Sequence, residues 1–141
     1  MKKSSIAVLL GVSVLALASC VSQDQADTKM GKGCEAAVNA MIEPKTLTTI
    51  KSTRFADETN SDGIYRRVSI TAVEKDGWME LDKEYSCLFQ QQWGLAKSSH
   101  IALLEQVSYD EQILGKKDGK ILGSFDDYMK LTKAADTAMG Q

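Results

Sequence analysis

The chain has 141 residues, 43% hydrophobic and 26% charged, with a formal net charge of −2. That balance suits one folded domain and excludes the basic excess on which nucleic-acid binding and adhesion to anionic head groups depend. One histidine and three distant cysteines give no zinc-ligand spacing, so neither a metal nor a cofactor is expected.

Lys2 and Lys3 precede an apolar run from Ile6 to Leu17, and small residues follow. This is the order of a secretory signal, and the run is shorter than the ~20 apolar residues of a membrane-spanning helix. Two exits from it are possible. Ala16-Leu17-Ala18 fits ordinary cleavage, which would leave Ser19 first. Leu17-Ala18-Ser19-Cys20 resembles, at every position, the lipobox of bacterial lipoproteins. That resemblance implies that residues 1–19 are a lipoprotein signal peptide and that Cys20 becomes the first residue, with a diacylglyceryl group on its sulfur. In lipoproteins of the enteric type Asp after the cysteine marks inner-membrane retention. Val21 therefore implies sorting to the outer membrane, on the periplasmic side. Cysteine parity agrees: lipidation consumes Cys20 and leaves Cys34 and Cys87 as an even pair, as an exported domain favours.

Residues 20–33 read as the lipidated cysteine and a flexible tether, because Val21 to Gly33 is polar and shows no apolar periodicity. Residues 34–141 read as a single globular α+β domain. Cys34, Val38 and Met41 share one side of a short helix, which Pro44 should end. Lys45 to Phe55 is a candidate irregular or edge strand, and "ADETNSDG" a turn-rich loop. Ile64, Val68, Ile70 and Ala72 alternate with polar residues, with Arg66 interrupting the apolar face. Met79, Leu81, Tyr85, Cys87 and Phe89 then alternate with Glu80, Asp82 and Glu84. Two such runs around Asp76-Gly77 predict a β-hairpin with one buried face. "HIALLEQVSY" predicts another strand with Leu103, Val107 and Tyr109 on one side, although Leu104 also allows a helix. "ILGKKDGKILG" predicts a short hairpin. Ser124 looks like the N-cap of a final helix, with Asp126 and Asp127 favourably placed near its start and Gly140 at its end. The expected architecture is a small antiparallel sheet of three or more strands with an N-terminal and a C-terminal helix packed on it.

The chemistry-bearing residues are few. A Cys34–Cys87 bridge would pin helix to sheet. Without a C-x-x-C motif a structural role outweighs a redox one. His100 reads as a surface histidine at a loop end, and no G-x-S-x-G elbow supports pairing it with Ser98 or Ser99. Glu80, Asp82 and Glu84 read as a solvated strand face. Asp57 to Asp62 lacks the register of a calcium loop. Trp93, in "QQQWGL", reads as a loop aromatic, either a partner contact or a core plug, with the contact preferred. Tyr85-x-Cys87-x-Phe89 resembles small exported bacterial domains, among them periplasmic lysozyme-inhibitor lipoproteins, in placing a cysteine after a strand aromatic. Their inhibitory-loop motif has no counterpart here, and no site is carried over. The expectation is a non-enzymatic lipoprotein of the outer membrane that meets the membrane through Cys20 and binds an envelope protein, with a ligand-binding or hydrolase-inhibitor lipoprotein as the alternative.

Overall fold

The computed structural model describes residues 20–141; the expected signal peptide lies outside them. The elements are α1 (Gln23–Ile42), β1 (Thr46–Asn60), β2 (Gly63–Asp76), β3 (Met79–Trp93), β4 (His100–Tyr109), β5 (Gln112–Lys117), β6 (Lys120–Leu122) and α2 (Phe125–Met139). The six strands form one antiparallel sheet in sequence order. Both helices pack on one of its faces, so the fold is α+β.

Alternation in β2 and β3 decides which face is covered. Val68, Ile70 and Ala72 lie opposite Cys87, Tyr85 and Lys83, and the apolar members of that set are buried beneath Met30, Cys34, Val38 and Leu131 of the helices. Cys34 and Cys87 are at disulfide distance, with Cα atoms 5.6 Å apart, and so join the middle of α1 to the middle of β3.

The first helix is longer than expected. Gln23 to Gly33 is not a tether but the first half of α1. Its buried positions are Ala26, Asp27, Met30 and Gly33, in line with Cys34, Ala37 and Val38. Small and charged residues hid that stripe from a hydrophobic reading. Ser22 and Gln25 close the helix start as a capping box. Arg66, the residue that interrupts the apolar face of β2, holds Asp27 with two hydrogen bonds of 3.0 and 2.6 Å and Asp57 with one of 2.7 Å. Gly33 admits the other helix closely: a Cβ there would lie 2.9 Å from Met139 Cγ. The second half of α1 ends at Ile42, just before Pro44, as its sequence predicts.

The strands also run further than expected. β1 continues through Asn60, where Asp57 faces Arg66 across the ladder and Glu58 reaches Arg67 diagonally. In β4, Leu88 pairs with Gln106 while Phe89 pairs with Leu104, which leaves Glu105 as an extra residue. This bulge shifts the alternation by one. Leu104 and Val107 are therefore buried, whereas Leu103 is 37% exposed. β5 covers only Gln106 to Tyr109 of β4. The uncovered edge is capped by α2 and the residues after it. Gln141 exchanges hydrogen bonds of 3.0 and 2.8 Å with the Ala102 backbone, and the Tyr128 hydroxyl donates to Leu104 O at 2.9 Å. Such caps remove the free donors and acceptors that make an open edge sticky. α2 itself starts and stops where expected. Ser124 Oγ accepts from Asp127 N at 3.0 Å, and left-handed Gly140 closes the end.

Candidate functional site

The start of α1, the β3–β4 connection and the β1–β2 turn meet at one end of the sheet. Val21 N donates to Lys97 O at 2.9 Å, so Cys20 sits beside the β3–β4 connection; its thiol is free and exposed. Trp93 is the last residue of β3, not a loop residue, and it is partly buried against the core. Its ring lies 4.4 Å from that of His100, and Lys97 Nζ is 5.6 Å from its centre. His100 is likewise not a surface residue: it is 6% exposed under the start of α1. His100 Nε2–H donates to Gln91 Oε1 at 3.1 Å, and Nδ1 is buried without a partner. Burial pushes its imidazole below the ordinary histidine range, and the Lys29 ammonium adds to this against the opposing pull of Asp27. Its partner is a carboxamide rather than a serine hydroxyl. The expected site residues Cys20 and Trp93 thus share one end, while Cys34 and Cys87 lie in the core.

The opposite end belongs to the β2–β3 hairpin. β3 has 15 residues; at ~3.3 Å per residue its two ends are roughly 45 Å apart. Asp76 pairs with Met79, so Gly77 and Trp78 form the tip. Gly77 has φ +60°, the left-handed geometry such tight hairpins require. β4 reaches β3 only from Tyr85 onward, so residues 79–84 project beyond it. On this arm Trp78 is 90% exposed, Leu81 52% and Met79 45%. Of the two tryptophans it is Trp78, not Trp93, that is exposed. The signal for Trp78 was its place directly after the turn glycine, where no neighbouring strand can cover it.

Between these ends lies the uncovered face of the sheet. It holds a groove of about 650 Å³ that runs from Glu58 and Tyr65 across Arg67 and Gln90 to Glu105 and Lys116. The bulge turns Glu105 into this groove with 12% of its side chain exposed, and Lys116 Nζ is 3.9 Å away. Burial pushes the Glu105 carboxyl above the usual carboxylate range, and Lys116 opposes that shift. Gly115 makes the bulge possible. A Cβ there would lie 2.2 Å from Glu105 O, and its φ of +123° disfavours any side chain. Arg67 is already engaged by Glu58 and by Ser86 Oγ at 3.0 Å.

Among the described residues no group of three or more His, Cys, Asp or Glu could hold a metal ion, and no helix is long and apolar enough to cross a membrane. Comparison with protein families, curated proteins and solved structures finds no match.

Proposed function

We propose that the protein is an outer-membrane lipoprotein facing the periplasm, held by lipid on Cys20, that binds another envelope protein without catalysis through its β2–β3 hairpin tip. The lipobox resemblance of Leu17 to Cys20 supports the anchor. The observation that carries the contact is Trp78, 90% exposed with Met79 and Leu81 beside it on an arm at the far end from Cys20. Exposed apolar residues gathered at one projecting point favour a partner, and tryptophan is the residue type most enriched among binding hot spots. The separation of Cys20 and Trp78 to opposite ends of the sheet supports a reading with one end at the membrane and the other in the periplasm.

A photoreactive side chain in place of Met79, with Trp78 intact beside it, should capture one defined envelope protein in cells, and the same side chain in place of Lys133, on the exposed side of α2, should not. Equal capture from both positions, or none from either, would contradict the contact. A second reading, a ligand-binding or hydrolase-inhibitor lipoprotein, draws on the open-face groove and its sheltered Glu105. A hydrolase slowed at stoichiometric amounts by the native protein but not by Glu105→Ala would move the function there.

A further inference from the structure

We propose that the Cys20 end of the domain rests directly on the lipid bilayer, with Leu95 inserted among the acyl chains beside the anchor. This builds on the lipid-anchor reading. It adds an orientation and a contact, and it replaces a domain swinging on a tether with one seated at the surface.

The start of α1 leaves the anchor no slack. Ser22 is the cap of α1, and Val21 N is fixed to Lys97 O at 2.9 Å. Nothing flexible separates Cys20 from the fold. Acyl chains on its sulfur must therefore enter the bilayer next to the β3–β4 connection. That connection carries Leu95, 92% exposed, the most exposed large hydrophobic residue among those described. It lies two positions from the carbonyl that holds Val21. Ala96 and Lys97 both take left-handed backbone conformations, φ 51° and 57°. Left-handed backbone is costly for residues with a Cβ. It is maintained here by Lys97 N and Ser98 N donating back to Gly94 O and Leu95 O, each at 3.0 Å. Leu95 is thus presented on a fixed turn rather than a mobile loop. Ile101, 47% exposed, follows on β4. A leucine beside an anchored lipid adds burial at little entropic cost, because the anchor already holds it at the surface.

The rival apolar feature, Trp78, serves as an internal control. The lipoprotein is extracted from membranes, its acyl mass on Cys20 is verified, and it is reconstituted into phosphatidylethanolamine–phosphatidylglycerol vesicles brominated in the upper acyl chains. Absence of the acyl mass would defeat the anchor reading at that step, before the orientation is tested. In acylated protein carrying Leu95→Trp, Trp78→Phe and Trp93→Phe, the added tryptophan, then the sole one, should lose most of its fluorescence to the bromolipids. Trp78, read alone in the Trp93→Phe protein, should lose none. An unquenched tryptophan at position 95, or a quenched Trp78, would overturn the orientation. Backbone hydrogen exchange on the unsubstituted lipoprotein gives a second reading free of folding effects. Residues 94–99 should exchange more slowly on vesicles than in the soluble Cys20→Ser protein, while residues 76–79 should not change. Equal rates at 94–99 in the two forms would likewise overturn it.

Discussion

Arg66 and Arg67 are neighbours in β2, yet they serve opposite faces of one sheet. Arg66 is on the covered face, 13% exposed, and holds the 12%-exposed Asp27 of α1 with two hydrogen bonds. Arg67 is on the open face, 32% exposed, and holds Glu58 of the adjacent strand with two more. The chemistry is the same and the surroundings differ. A buried charge whose partner is removed is left without solvent, whereas an exposed pair exchanges its partner for water at little cost. Stability is therefore concentrated on the helix-covered face. The open face, the hairpin tip and the Cys20 end remain free to make contacts.

The contrast can be broken at several points. Arg66→Ala strands Asp27 and should cost ~3–5 kcal/mol in denaturant unfolding. A loss below that of Arg67→Ala would reverse the assignment of the two faces. Cys34→Ser with Cys87→Ser removes the link between α1 and β3 and should cost ~2–5 kcal/mol, read in the same experiment. Next comes pH. His100 titrates below its ordinary value when folded, so its contribution is fully present above pH ~6.5, the unfolded histidine value, and is lost as the pH falls through that range. Stability measured from pH 7.5 down to 5 should show this drop, and His100→Gln should flatten it. Arg67→Ala should cost no more than ~1 kcal/mol. Smallest of all, Trp78→Ala should leave stability within ~0.5 kcal/mol of the native protein while abolishing capture of the partner.

Much of the covered face was legible in the sequence. The β2–β3 alternation over Val68–Ala72 and Tyr85–Phe89, the stop before Pro44 and the Ser124 cap follow from local rules and hold in the structure, and the Cys34–Cys87 pairing, expected from cysteine parity, is found at disulfide distance. What escaped was whatever depends on a distant partner. The first half of α1 buries alanine, aspartate and glycine around a single large apolar residue, Met30, and Asp27 makes sense only beside Arg66, far along the chain. The interruption in β2 and the polar start of α1 were two halves of one interaction. Leu103 was placed on one side with Val107 because the extra residue at Glu105 is invisible without β3. His100 and Trp93 were read as exposed because the chain around Ser98 and Ser99 looks like a loop, whereas α1 folds over it. The open-face groove draws residues from β1 to β5, so no single stretch announces it.

The central claim is that this domain is fixed to the membrane at Cys20 and meets its partner from the other end. The most direct test is the intact mass of the protein extracted from membranes. The account predicts a chain that begins at Cys20 and carries acyl mass. A chain that begins at Ser19 without lipid would contradict it, because Leu95 and the rest of that end would then have no membrane to meet.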